Sequence, residues 1–204
     1  MLYLEKKNLK APASNSKERK VATLVTGRSE EMHHMRKMIS KHMMESLNTS
    51  AHVYVMTEVD MTSIVDFVKK KQDEFKEREG YALTYTPFII ESVIKSLKDY
   101  PEMNSSISGS KVDYHRDINI GLAVAIENGL MVPAIPNCEE KNFLGICRSV
   151  NDVAKRTRDG SISSDELSGT TFTITNFGVF GVSMGTPIIL SLIHISEPTR
   201  QATI

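Results

Sequence analysis

Ile118-Asn119-Ile120-Gly121-Leu122-Ala123-Val124-Ala125-Ile126 and Leu130-Met131-Val132-Pro133-Ala134-Ile135 are two apolar runs joined by Glu127-Asn128-Gly129. The first run is too short for an independent helix and reads as a buried strand; the Asn-Gly turn returns the second run as its antiparallel hairpin partner, bounded by Pro133 and Pro136. Outward from this hairpin, helical and extended patterns alternate. Phe143 to Arg158 has helical spacing and stops at Asp159-Gly160, and Ser164-Asp165-Glu166-Leu167 reads as a short capped turn. Thr86-Pro87 opens a helix carrying Ile89, Ile90, Val93, Ile94 and Leu97, with Pro101 just past its end. Ser63 to Glu79 is amphipathic, with Ile64, Phe67, Val68 and Phe75 on its apolar side, and Gly80 stops it. His52 to Met61 alternates Val53, Val55, Thr57, Val59 and Met61 against Tyr54, Met56, Glu58 and Asp60, the pattern of a long strand. Ser29 reads as the N-cap of a helix bearing Met32, Met35, Ile39 and Met43. Helices alternating with strands, some of them antiparallel, predict an α/β two-layer sandwich: a mixed β-sheet with helices on one face.

Thr170-Thr171-Phe172-Thr173-Ile174-Thr175-Asn176-Phe177-Gly178 alternates bulky apolar residues with hydroxyls and stops at glycine. Such a strand carries a hydroxyl to the end of a sheet, where it can donate a hydrogen bond to a developing oxyanion. Alternation alone does not choose among its hydroxyls, and an ordinary strand threonine is the simpler reading of each.

Composition bounds the rest. The chain has 204 residues, with 25 basic and 25 acidic side chains and a formal net charge of zero. That balance argues against a nucleic-acid or membrane-surface role. No apolar run reaches membrane-spanning length, and the first residues have no signal-peptide pattern. Cys138 and Cys147 lie outside any CxxC and read as two reduced thiols of a cytoplasmic-type protein, with a disulfide or metal pair as the minority alternative. His33 and His34 are adjacent and point apart, a poor metal pair, so no metal is expected. The methionines read as an adaptable packing face. Gly178, Gly181 and Gly185 precede no helix and read as turn residues, not as a dinucleotide fingerprint.

Several segments together resemble the catalytic domain of the 2-oxo acid dehydrogenase dihydrolipoamide acyltransferases, the E2 core components. They are Met35-Arg36-Lys37-Met38-Ile39-Ser40-Lys41-His42-Met43, His52-Val53 with Glu58-Val59-Asp60-Met61, Leu83-Thr84-Tyr85-Thr86-Pro87-Phe88, the hairpin, and Phe172 to Gly178, in that order. The resemblance runs from about Arg28 to Leu190 and implies a chloramphenicol-acetyltransferase-like fold. It also implies the reaction, movement of an acyl group from a dihydrolipoyl thioester to coenzyme A, with Thr175 where many relatives carry serine. The partners it implies are a homotrimer assembling into a larger cage, the E1 and E3 components, and a lipoyl domain carrying lipoate that this chain does not contain.

The resemblance also sets domain boundaries. Residues 1–7 resemble the end of a peripheral-subunit-binding domain, 8–28 form a flexible linker, and 29–190 form the catalytic domain. The family's base is a histidine in an Asp-His-Arg motif followed two residues later by Asp-Gly, and it acts across a subunit contact. None of His33, His34, His42, His52, His115 and His194 sits in such a motif. Residues 191–204 resemble translated adapter sequence, so the expectation is a domain incomplete at its C-terminus, lacking the catalytic His and Asp and inactive as written. Lys69-Lys70-Lys71 lie where relatives carry arginine near coenzyme A, although Val68 holds the matching position; a solvated helix face is the simpler reading. His52 falls near the implied substrate channel and reads more simply as a solvated or core-satisfied histidine. Two alternatives remain: a non-catalytic scaffold with the same fold, and a free-standing acetyltransferase of the chloramphenicol-acetyltransferase type.

Overall fold

The computed structural model describes residues 27, 29–127, 129–178, 181 and 184–190. The readings of residues 1–7, of the linker apart from Gly27, of Asn128 and of 191–204, including His194, lie outside them. The chain divides into units Met1–Met32 and His33–Ile204; the architecture that follows is that of the second.

Four helices are present: α1 (His34–Thr49), α2 (Thr62–Glu79), α3 (Thr86–Asp99) and α4 (Phe143–Arg158). The strands are short: β1 (Ser105–Ser108), β2 (Lys111–Tyr114), β3 (Ile120–Leu122), β4 (Val124–Ile126), β5 (Gly129–Met131), β6 (Ala134–Ile135) and β7 (Phe172–Ile174). β3 pairs antiparallel with β6 and parallel with β7, so the expected mixed sheet exists with β3 at its centre. β4–β5 continues the central hairpin and β1–β2 is a separate hairpin.

The hairpin is read correctly but is not one continuous ladder. Leu122 N–H still reaches Pro133 O at 2.9 Å, yet Pro133 has no N–H to return. The next donor, Ala123 N–H, turns to Ile174 O on β7 at 3.1 Å. The ladder therefore breaks at the proline, which has no donor for Leu122 O, while Ala123 N–H, on the opposite edge of β3, fastens the strand that precedes Thr175.

One face of the three-stranded sheet is covered by helices. Ile90, Ile94 and Leu97 of α3 and Ile146, Val150 and Val153 of α4 pack on Ile118, Ile120, Leu122, Val124 and Ile135, with Phe172 and Ile174 against the same cluster. Each helix contributes residues at i, i+4 and i+7, the spacing that keeps one stripe on a flat neighbour. Full burial of each such side chain is worth about 1.5–3 kcal/mol. A second cluster joins α2 to the other side of α4 through Val68, Phe75, Leu83 and Cys147, with Phe88 and Phe143 in contact. Val68 is thus a core residue. The α2–α4 contact is tied at the surface by Arg148, whose Nε and Nη2 donate to Glu79 at 2.8 and 3.2 Å. These bonds hold the Glu79 carboxyl below its ordinary value.

Two sequence expectations are corrected. Residues 52–61 form no strand. Among the described residues no main-chain ladder joins them, and Val53, Val55, Met56 and Val59 are 67–89% exposed. Alternation records which side chains share a face; a strand also needs a neighbour for its main chain. The first helix begins at His34, not after Ser29, because the His33 ring caps it, Nδ1 accepting Met35 N–H at 3.4 Å. Among the described residues no helix is long and apolar enough to cross a membrane.

Candidate active site

Alternation along β7 decides which way Thr175 faces. Phe172 and Ile174 touch the helix-covered core, so Thr173 and Thr175 present the opposite face. Thr175 follows the last residue of β7 and is half-buried, and its hydroxyl has no hydrogen-bond partner among the described residues. The strand beneath it is fixed by pairing Ile120 with Phe172, Gly121 with Thr173 and Leu122 with Ile174.

That register is set by residues to which the sequence reading gave no role. Asn119 donates through Nδ2 to Gly169 O at 2.8 Å, and its Oδ1 accepts Asn137 N–H at 2.9 Å. Its N–H donates to Thr171 Oγ1 at 3.1 Å, and its carbonyl accepts from Thr171 N–H at 2.9 Å and Phe172 N–H at 3.2 Å. One residue thus joins the entry to β7, the start of β3 and the loop after β6. Gly121 lies on the same face as Thr173, and a Cβ there would stand 2.6 Å from Thr170 Cγ2 and 3.1 Å from Val132 Cγ1. Only glycine lets Thr170 close over the sheet. The signal was present in the isolated Gly within an apolar strand, a mark of close approach.

The loop before β7 is locked to α4. Arg156 forks Glu166 with Nη1–Oε2 and Nη2–Oε1 distances of 2.8 and 2.6 Å and also reaches Asp152, while Ser163 donates its N–H and hydroxyl to Glu166. The Arg156 guanidinium, followed by the Ser163 amide, brings the Glu166 carboxyl down to about 2. On the far side of Thr175, Gly178 N–H donates to Asn176 Oδ1, and Gly181 N–H closes a turn onto Gly178 O. Gly185 lies so near Phe177 that a Cβ would meet its ring at 3.3 Å. These glycines serve turns and close contacts, as read.

None of the described histidines is hydrogen-bonded to Thr175. His33 caps α1, and His115 Nε2 contacts Ser106 Oγ at 3.1 Å. His52 lies between Ser50 O and Ile189 N–H. Lys71 pairs with Glu74 on its own helix at 2.7 Å, and Lys69 and Lys70 are exposed. Both cysteines are free and buried; burial raises the Cys138 thiol and pushes that of Cys147 up to about 11. Among the described residues no group of three or more His, Cys, Asp or Glu could hold a metal ion.

Comparison with known proteins places this geometry. Residues 26–192 match the family of 2-oxoacid dehydrogenases acyltransferase (catalytic domain). The chain is 41% identical over 147 residues to the lipoamide acyltransferase component of the branched-chain alpha-keto acid dehydrogenase complex of Bacillus subtilis (strain 168), covering 72% of this chain and 35% of that protein. It therefore spans about a third of that relative's length. The crystal structure of a probable dihydrolipoamide acetyltransferase from Listeria monocytogenes 4b F2365 superposes with a TM-score of 0.77 at 38% identity, covering 81% of this chain and 70% of that one. The dihydrolipoamide acetyltransferase of Azotobacter vinelandii superposes with a TM-score of 0.77 at 26% identity, covering 81% and 69%. That structure was determined to examine the roles of a serine, a histidine and an asparagine in its catalytic mechanism. With a match over most of its length and a sheet-and-helix layout shared with solved members, the chain belongs to the 2-oxoacid dehydrogenase acyltransferase family, as a catalytic domain.

Proposed function

We propose that the chain supplies the oxyanion-binding half of an acyl-transfer site. An acyl group passes there from a dihydrolipoyl thioester to the thiol of coenzyme A. The observation that carries this reading is the Thr175 hydroxyl: without a hydrogen-bond partner among the described residues, half-buried, on the sheet face opposite α3 and α4, and held by a register that Asn119 and Ala123 fix.

The chemistry follows from charge. A thiol titrates near ~8.5, so only a few per cent is thiolate at neutral pH, and a positioned base is worth roughly 10²–10⁴ in rate. The sulfur of coenzyme A attacks the thioester carbon as the base takes its proton. The carbonyl oxygen becomes an oxyanion, and Thr175 donates its O–H to it. The tetrahedral intermediate then collapses; the bond to the dihydrolipoyl sulfur breaks, and the proton returns to that sulfur. A donor about 2.7–3.1 Å from the oxyanion stabilises it by roughly 3–4 kcal/mol.

Among the described residues no histidine is hydrogen-bonded to Thr175, and the family resemblance supplies the base from a neighbouring subunit. The proposal includes a homotrimer within a larger cage, joined by E1 and E3 components and a lipoyl domain, working in the cytoplasm. The acyl group is left open between acetyl, succinyl and branched-chain.

The test is CoA-dependent acyl transfer from acetyl-, succinyl- and branched-chain acyl-dihydrolipoamide. The chain is assayed alone and co-refolded with a relative's catalytic domain whose hydroxyl residue is replaced by alanine and whose histidine is intact. The expected pattern is silence alone, turnover in the mixture, and loss of about 10²-fold or more with Thr175→Ala. Equal rates with Thr175→Ala would overturn the role of this side chain. Mixed assemblies silent with every donor would favour the scaffold reading.

A further inference from the structure

We propose that His52 is a proton-operated latch that holds the segment Met184–Leu190 against the end of α1. The inference is independent of the acyl-transfer reading and rests on hydrogen-bond roles that chemistry leaves no freedom to change. His52 Nδ1 lies 2.8 Å from Ser50 O, and its Nε2 lies 3.0 Å from Ile189 N. A carbonyl can only accept and an amide N–H can only donate. Nδ1 must therefore carry the proton and Nε2 must be bare: a neutral ring in one defined tautomer.

Protonation reverses the second contact. With a proton on Nε2, an N–H would face the Ile189 N–H, and that hydrogen bond would become a donor–donor clash. The first contact, from Nδ1 to Ser50 O, would survive. The ring, just past the end of α1, thus releases one partner and keeps the other. Ile189 has a second tie that does not titrate: the buried Ser46 hydroxyl donates to Ile189 O. Opening therefore loosens residues 184–190 without detaching them. Thr175 lies upstream, directly after β7, which stays paired with β3.

The groups that meet the ring are uncharged. From α1 it meets the neutral Ser50, with Ser46 beyond; Glu45 and His42 are the nearest ionisable residues in sequence on that helix, and neither bonds to it. From its own segment it meets the Tyr54 ring, with centroids 6.3 Å apart. Residues 184–190 carry no ionisable side chain. Among the described residues no ion pair reaches His52.

The test is NMR on the ¹⁵N-labelled chain, with the His52 ring nitrogens and the Ile189 amide followed through one pH titration. Above the ring titration, the ¹⁵N shifts are expected to show a bare Nε2, and Ile189 is expected to be protected from hydrogen exchange. As the ring takes up its proton, the Ile189 protection factor should fall about tenfold or more, while that of Ser50, bonded to Ser46 O, stays constant. His52→Gln places an uncharged acceptor near the Nε2 position and should keep Ile189 protected at every pH; His52→Ala should lower it at every pH. A ring protonated on Nε2 in its neutral form, or Ile189 protection that ignores the ring titration, would overturn the proposal. Because the ring shifts are read in the unsubstituted chain, the outcome stands even if a variant fails to fold.

Discussion

Asn119 and Thr171 bond each other three ways: Thr171 N–H to Asn119 O at 2.9 Å, Asn119 N–H to Thr171 Oγ1 at 3.1 Å, and Thr171 Oγ1 to Asn119 O at 3.3 Å. The main chain of Asn119 fixes where the last strand begins, and its side chain fixes the flanking loops. Asn119→Ala keeps the first set and removes the second, leaving Asn137 N–H and Gly169 O without this partner. The expected loss is about 1–3 kcal/mol, read as a lower urea midpoint with unchanged slope. Asn119→Asp, which keeps the acceptor for Asn137 N–H, should lose less.

Gly121→Ala should cost roughly 1–3 kcal/mol, because the new methyl must displace Thr170 Cγ2 and press on Val132. Thr170→Ser removes the offending methyl. In a double-mutant cycle the pair should couple favourably, the serine recovering much of what the alanine cost. Additive effects would show that Thr170 does not close over this glycine.

The Arg156–Glu166 lock predicts a specific acid sensitivity. The folded carboxyl, at about 2, lies below the unfolded value of roughly 4.3. The folded state therefore binds fewer protons in this window, and stability rises with pH across it. The contribution is complete above the unfolded value and is lost as pH falls toward about 2. Urea midpoints measured from neutral pH down to about pH 2 should show this limb, and Glu166→Gln should flatten it.

Cys147 lies in the α2–α4 core with its thiol pushed up to about 11. In the folded chain at pH ~8 it should be almost wholly protonated and sealed from a disulfide reagent such as DTNB. Its modification rate should follow the unfolded fraction as urea is raised. Rapid labelling without urea would mean that this core opens on its own.

The core helices were legible because their apolar residues recur on one stripe. Ile90, Ile94 and Leu97 identify α3; Ile146, Val150 and Val153 identify α4, whose start is further marked by the Asn142 side chain accepting Gly145 N–H. Val53, Val55 and Val59 misled because a period of two was present without a partner strand among the described residues. The parallel pairing of β7 with β3 was hidden for a related reason: nothing local to Phe172 says that Ile120 lies beside it. At the site, alternation marked a hydroxyl-bearing strand, the family resemblance singled out Thr175 on it, and which face it presents required knowing which side the helices cover. His52 was read as solvated or core-satisfied; both its ring nitrogens are hydrogen-bonded, and the second partner, Ile189, lies 137 residues away in sequence.

The ribbon at 52–61 has a consequence for handling the molecule. Val53-Tyr54-Val55-Met56-Thr57 combines high β-propensity with no charge and no proline, and it lies open to solvent. Such a pentapeptide is a seed for cross-β stacking, and Glu58 and Asp60 guard only one of its ends. Concentrated solutions should bind thioflavin T after a lag that preformed fibrils abolish, and Val55→Lys should lengthen that lag while leaving both cores intact.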